Sequence, residues 1–225
     1  MTSWFRLEDR VVRLAAALLF VIAGIVGHAP RAAAETAAPP ATTQERLDSA
    51  LIEAIARDDP AEVETLLAAG ADPHWRDPGG KTAVHRAAFA DNLKLLEVVL
   101  AHGADPDVHD LAGSTPMTDA LLAAPYPLEK IEMLLAAGAD PDATNPNGGT
   151  PLHTAARTNN GRAILILLEA GASPHATTST GGTFQRYYFG YPTAMLTDTA
   201  LATRRQVAKW LQQHGIPLEP GVTVE

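Results

Sequence analysis

The sequence predicts an all-α solenoid of about five stacked helix pairs, preceded by an N-terminal signal helix, and three observations support this prediction. A Gly-Ala-Asp-Pro phrase begins at Gly70, Gly103 and Gly138, and a Gly-Ala-Ser-Pro phrase begins at Gly171, with steps of 33, 35 and 33 residues. Apolar residues keep fixed distances before each of these glycines. Aromatic residues make up only 5% of the chain, so Ala, Leu, Val and Ile must form most of the core, which suits closely packed helices.

The second helix of each unit is predicted from the residues that precede the glycine. Apolar residues stand seven, four and three positions before it, as Ile131, Leu134 and Leu135 do before Gly138. This spacing places the three side chains on one stripe of a helix. The glycine then supplies the left-handed backbone that ends the helix, and the proline that comes three positions later cannot extend it.

The first helix of each unit is predicted from a threonine that follows a turn. Thr82, Thr115 and Thr150 are placed where a hydroxyl can cap free backbone N–H groups, and proline follows the last two at the first helical position. The turns before the helices begin with Asp, Asn or Thr and close with Gly, which is typical turn chemistry. They span residues 77–80, 110–113, 145–148 and 178–181.

These motifs together resemble the ankyrin-repeat family, whose signature is T-P-L-H, followed by two alanines and closed by G-A-D. The best copy is TPLHTAA at 150–156 with Gly171-Ala172, TAVHRAA at 82–88 is close, and the resemblance covers about residues 44–217. The resemblance implies a protein-binding scaffold, whose partners usually bind a concave face built of turns and first helices. With the N-terminal segment described below, it predicts an exported, bacterial-type member of the family.

Departures from the repeat set the predicted domain limits. An N-terminal capping repeat occupies 44–77, and three further repeats occupy 78–110, 111–145 and 146–178. The third repeat is lengthened by two residues at 125–127. A degenerate repeat at 179–225 ends the array. Because the sequence from Thr193 restores the expected spacing, we predict that ten residues are inserted around the aromatic segment 184–191, which holds five of the nine Phe and Tyr residues.

Residues 1–34 have the three parts of a secretory signal: a basic start, an uncharged run at 14–27 and small residues at 32–34. A helix of 14 residues spans about 21 Å, which is shorter than the hydrocarbon core of about 30 Å. Cleavage would leave a flexible linker at 35–43 and a periplasmic or secreted protein. The alternative is an uncleaved N-terminal membrane anchor.

The composition disfavours several classes of function. Residues 35–225 carry 24 acidic and 13 basic side chains, a net charge of −11 that disfavours nucleic acid and anionic membranes as partners. The chain has no cysteine, and no catalytic or phosphate-binding motif occurs. Seven of the eight histidines lie at repeat positions, helix ends or turns, without ligand spacing. We therefore predict a monomeric protein that is not an enzyme and that binds no metal or cofactor.

The candidate partner-binding residues are positions that the repeat leaves free to vary. Their residue types include arginines and aromatics, which are enriched in interface hot spots. On the turns they are Arg76, Lys81, His109 and Leu111; on the first helices Phe89, Leu122 and Arg157; in the aromatic segment Arg186, Tyr187, Tyr188 and Tyr191. The aromatic segment is either a binding loop or a lid on the last unit. An alternative function is an accessory protein that holds a small molecule or cofactor with residues 184–191.

We expect the exported protein to begin at Glu35, because cleavage after Ala34 fits the small residues at 32–34. Mass spectrometry of the protein isolated from outside the cytoplasm measures its first residue. Recovery of intact residues 1–34 in a membrane fraction would instead establish the anchor.

Overall fold

The computed structural model describes residues 42–124 and 127–224 of the protein, and over these ranges it shows ten α-helices in five successive pairs. The predicted signal segment 1–34, the linker up to residue 41 and Pro125–Tyr126 lie outside the described residues. The pairs are α1 (Thr43–Ala56) with α2 (Pro60–Ala68), α3 (Ala83–Phe89) with α4 (Leu93–Ala101), α5 (Pro116–Leu122) with α6 (Pro127–Ala136), α7 (Pro151–Arg157) with α8 (Gly161–Glu169), and α9 (Phe184–Phe189) with α10 (Asp198–Gln213).

The helices of residues 42–224 pack in two layers, which confirms the predicted all-α solenoid. Each first helix packs against the first helix of the next unit, and each second helix does the same in its own layer. In the first four pairs the two helices also pack against each other. The buried apolar residues form one cluster from Leu51 to Leu211, and a single bridge between Thr177 and Thr183 is the extent of β pairing in the described chain.

Glycine ends the second helices as the repeat predicts. Gly138 has φ 93°, a backbone conformation that L-residues with a Cβ rarely adopt. Its N–H donates to the Leu135 carbonyl at 3.0 Å, and the Ala139 N–H donates to the Leu134 carbonyl at 3.0 Å. These two bonds satisfy carbonyl groups that the helix end would leave free, as in a Schellman motif. The equivalent glycines at 70, 103 and 171 also have positive φ.

Two histidines join a first helix to the turn that precedes the next unit. The Nδ1 atom of His153 accepts the Thr150 N–H at 3.1 Å, and its Nε2 lies 3.1 Å from the carbonyl oxygen of Gly182. Because a carbonyl oxygen only accepts, Nε2 carries the hydrogen and the ring is neutral. His85 makes the same two contacts, to the Thr82 N–H and to the Ser114 carbonyl oxygen.

The last unit differs from the prediction, because the first helix begins after Thr183 and not after Thr193. The Thr183 hydroxyl accepts the Arg186 N–H at 3.2 Å and caps α9, while Phe184 and Tyr188 lie in the core at 1% exposure. The aromatic segment is therefore the first helix of the unit, and the predicted placement of the ten extra residues around 184–191 is wrong. The extra residues follow this helix. They lengthen the connection to the eight residues 190–197, whereas residues 90–92 and 158–160 connect the helices of two other units, and they lengthen α10 to 16 residues, compared with 9 in α8.

We expect the free energy of unfolding to fall as the pH drops from about 7.5 to about 5.5. Burial lowers the pKa of His85 and His153 below their usual 6.5, although their backbone hydrogen bonds oppose this shift. The unfolded chain therefore binds protons first as the pH falls through 6.5, and the stability present above that pH is lost.

Urea unfolding followed by circular dichroism across this pH range measures the change. The variant H85Q/H153Q is the control, because glutamine can keep the bond to the helix-capping N–H and does not titrate. An equal pH slope for this variant and the original protein would contradict the assignment to these histidines.

Candidate interaction surface

The first helices α1, α3, α5, α7 and α9, together with the turns that precede them, form a surface that we term the first-helix face. The turns stack directly, since the Leu111 N–H donates to the Gly79 carbonyl at 3.2 Å and the Ser179 N–H to the Asn147 carbonyl at 2.8 Å. Ten of the eleven candidate binding residues lie on first helices or turns, and Tyr191 lies in the connection after α9. The structure separates the eleven into residues held by neighbouring units, buried residues and exposed residues.

Arg76 and His109 connect successive turns. The Arg76 guanidinium donates to the Gly80 carbonyl at 2.9 Å and to the His109 carbonyl at 2.6 Å. The His109 Nε2 lies 3.0 Å from the Thr144 carbonyl oxygen, one unit further along. Both side chains therefore support the stack of turns. Because these hydrogen bonds hold them in place, only their remaining donor groups are available to a partner.

Lys81 also spans two units. Its Nζ lies 2.6 Å from the Asp119 carboxylate and 3.3 Å from that of Asp110. Burial raises the pKa of Asp119, although Lys81 opposes the shift. Burial also tends to raise the pKa of Asp110. Hydrogen bonds from the Ser114 N–H and from Lys81 outweigh burial and lower the pKa of this carboxyl. Lys81 thus bridges two carboxylates, that of Asp110 in the turn before α5 and that of Asp119 within α5.

Phe89 and Leu122 occupy equivalent positions at the ends of α3 and α5, each seven residues after the capping threonine. Their side chains are 59% and 56% exposed. Helices that pack side by side lie about 8–10 Å apart, so the two residues form a short apolar strip across neighbouring units. The exposed Leu111, in contrast, lies over Gly80 of the preceding turn, where an added Cβ would come within 2.8 Å of it.

A groove of about 720 Å³ runs beside Phe89 between α1 and α3. Its apolar lining comes from the C-terminal turn of α1 and the end of α3. Four acidic residues also line it, and we term the three exposed ones, Glu53, Asp58 and Asp91, its acidic rim. The apolar residues are Ile52, Ile55, Ala56, Phe89 and Ala90, and the carboxylates are Glu53, Asp58, Asp91 and Asp119. The two basic residues of the lining, Lys81 and Arg86, are already paired with Asp119 and Asp77.

Charge is distributed unequally along the array, a feature that the sequence analysis missed. Residues 42–124 hold 15 acidic and 6 basic side chains, whereas residues 127–224 hold 7 of each. The net charge of the described chain therefore resides in its N-terminal half, where the groove lies. Counting charges unit by unit along the sequence would have revealed this.

The aromatic segment is largely core, which corrects its assignment to partner binding. Tyr188 is 1% exposed and cannot contact a partner, so its prediction as a binding residue is wrong. Tyr187 is half-buried with its ring against His153 at a centroid distance of 6.0 Å. The Tyr191 hydroxyl donates to the Arg157 carbonyl at 2.7 Å, which leaves Arg186 as the freely exposed member of the segment. Phe184, Tyr188 and Phe189 fill the core and are closed to a small molecule, which removes most of the support for the alternative function.

Arg204 of α10 holds the long connection against the last unit, a role that no sequence pattern indicated. The side chain is fully buried, and its guanidinium donates to the Tyr188 carbonyl at 2.6 Å and to the Tyr191 carbonyl at 3.0 Å. It also faces the rings of Tyr188 and Phe189, with centroids at 5.6 and 5.8 Å. These contacts join α9 to α10 across residues 190–197.

Within residues 42–124 and 127–224, no three His, Asp or Glu side chains come together in a group that could hold a metal ion. Over the same ranges, none of the helices combines the length and apolar character that crossing a bilayer requires.

Two family models match the chain. One describes ankyrin repeats in three copies and matches residues 51–145, and the other describes ankyrin repeats in many copies and matches residues 134–183. No curated protein matches the chain.

We expect Tyr188→Ala to lower the free energy of unfolding by about 3–5 kcal/mol, because it empties space in a closed core. Met195→Ser serves as the control in the same region, since this side chain in the connection is 78% exposed and should change stability by about 0.5 kcal/mol or less. Chemical denaturation measures both values. Equal, small effects would show that α9 is not part of the core.

Proposed function

The chain belongs to the ankyrin-repeat family, and from this premise we propose that its array is a non-catalytic scaffold that binds another protein through the first-helix face. Ankyrin repeats generally mediate protein–protein interactions and are typically non-catalytic. We assign the binding to one surface of the array, which is formed by the first helices and the turns. Without its partner we expect the protein to be a monomer.

The observation that supports this surface is the exposure of Phe89 and Leu122. The other large apolar side chains of the first helices are buried or partly buried, yet these two remain more than half exposed at equivalent positions of neighbouring units. Neither side chain fills the core, so the fold does not require an apolar residue there. Neighbouring exposed apolar side chains beside a groove are typical of a protein interaction site.

We also propose that the scaffold acts outside the cytoplasm. The support is the order of basic, apolar and small residues in residues 1–34, which is that of a secretory signal.

The excess of acidic groups in residues 42–124 makes nucleic acid and anionic lipid unfavourable partners, because their phosphates would be repelled.

Site-specific photocrosslinking in the organism that makes the protein tests the surface. A photoreactive amino acid replaces Leu122 or Arg157 on the first-helix face, or Lys94 or Glu132 on the second helices as matched exposed controls. We expect one adduct of defined mass from the first two positions and none from the controls.

Adducts that form equally from Lys94 and Glu132 would contradict binding through the first-helix face. Adducts with cytoplasmic proteins would contradict the proposed location. Absence of any adduct from all four positions would contradict the scaffold function itself.

A further inference from the structure

We propose that the groove beside Phe89 receives a basic segment of the partner protein, in which large apolar side chains insert into the groove and neighbouring Lys or Arg side chains meet its acidic rim. This inference rests on the proposed function and specifies the chemistry of the partner. Three features of the described residues support it: the apolar lining, the unpaired carboxylates and the uneven charge of the array.

The lining favours an apolar side chain as the anchor. Ile52 and Ala90 are partly exposed within the groove, and Phe89 stands beside them at 59% exposure. A volume of about 720 Å³ lies within the range of about 300–1,000 Å³ that is usual for ligand sites, so it accommodates more than one side chain. Covering this apolar surface removes it from water, which is the main favourable contribution to such an interface.

The rim favours positive charge beside the anchor. Among the described residues, no Lys or Arg nitrogen lies within 4.0 Å of the Asp58 or Asp91 carboxylates. Glu53 has only a distant pair, 3.8 Å from Arg57, and its side chain is 71% exposed. These carboxylates are therefore available to cations of a partner, and their close spacing within one groove concentrates the attraction.

The basic groups near the groove do not cancel this field. Lys81 lies between Asp110 and Asp119, and Arg86 is held by Asp77, so each is balanced by a carboxylate of the turns or of α5. Lys130 is fully buried in α6 and interacts electrostatically with Asp91, so it offsets part of the charge of that carboxylate, although burial lowers the pKa of the ammonium.

The strip on the first-helix face sets the spacing of the partner's apolar residues. Phe89 and Leu122 belong to adjacent first helices, about 8–10 Å apart. A segment in the polyproline II conformation advances about 3.1 Å per residue with three residues per turn, so side chains three positions apart lie on the same side, about 9 Å from each other. An extended segment of this kind that follows the strip therefore places apolar side chains three positions apart, with Lys or Arg between and beside them.

Isothermal titration of the purified, naturally processed protein with two short synthetic peptides tests this inference. One peptide carries leucine and phenylalanine three positions apart among lysines, and its twin has glutamate in place of every lysine. We expect the lysine peptide to bind and the glutamate peptide not to bind. Phe89→Ser should weaken binding about tenfold, as expected for an anchor residue.

The charge contribution is tested separately with D58N/D91N, which preserves side-chain shape. Asp58 has φ 59°, a conformation that asparagine also tolerates, so the variant should fold normally. The control E132Q/E169Q removes the same charge from exposed positions of the second helices. We expect D58N/D91N to weaken binding about tenfold and the control to bind like the original protein.

Equal losses in D58N/D91N and E132Q/E169Q would overturn the inference, because they would show a general attraction to an acidic protein. Full binding by Phe89→Ser, or equal binding of both peptides, would also overturn it. Unchanged melting temperatures establish that the variants are folded. If photocrosslinking finds a partner on the first-helix face while the lysine peptide fails here, the scaffold function stands and only the partner chemistry is wrong.

Discussion

No helix pair of this chain can bury its apolar side chains alone, and this constraint determines the rest of the structure. Each unit contributes an apolar stripe on its second helix, and every first helix except the aromatic α9 contributes small residues, so burial is completed only by the neighbouring units. The apolar side chains are therefore covered only when each unit is aligned with its neighbours in height and orientation. Small residues such as Ala87 and Ala155, both fully buried, allow the helices to approach closely enough for this.

Polar contacts fix the alignment that apolar packing alone would leave loosely defined. The buried histidines bond to backbone carbonyls beside the next turn. Carboxylates that follow the ends of the second helices accept backbone N–H groups of the next unit. The Asp107 carboxylate accepts the Asp140 N–H at 2.9 Å, and the Asp142 carboxylate accepts the Ser173 N–H at 2.9 Å. Because these bonds end on backbone groups, they hold the units in place while the side chains on the first-helix face remain free to differ.

This arrangement explains why the proposed interaction surface and the fold can coexist on the same short helices. One side of α3 fills the core with Val84, Ala87 and Ala88, while Phe89 at its end faces solvent beside the groove. The excess of acidic side chains in residues 42–124 adds a long-range preference that the apolar strip lacks. Apolar contact and charge would then contribute separately to partner choice, the first mainly to affinity and the second mainly to specificity and rate.

The sequence by itself determined the fold class, the period, the helix caps and the glycine stops, because each depends on a few adjacent residues with fixed backbone preferences. It also located Phe89 and Leu122 as apolar residues at positions that need none. It failed in the last unit, where Thr183 and Thr193 both fitted the spacing and only packing could choose between them.

Tertiary structure alone decided which variable residues are available to a partner. Arg76, Lys81 and His109 resemble free surface residues in sequence, yet each is bonded to a group about one repeat away or further. Tyr188 belongs to the same set of candidate binding residues, yet it lies in the core against Arg204. Contacts between residues 16 to 38 positions apart are set by how the units stack, and no local pattern encodes them.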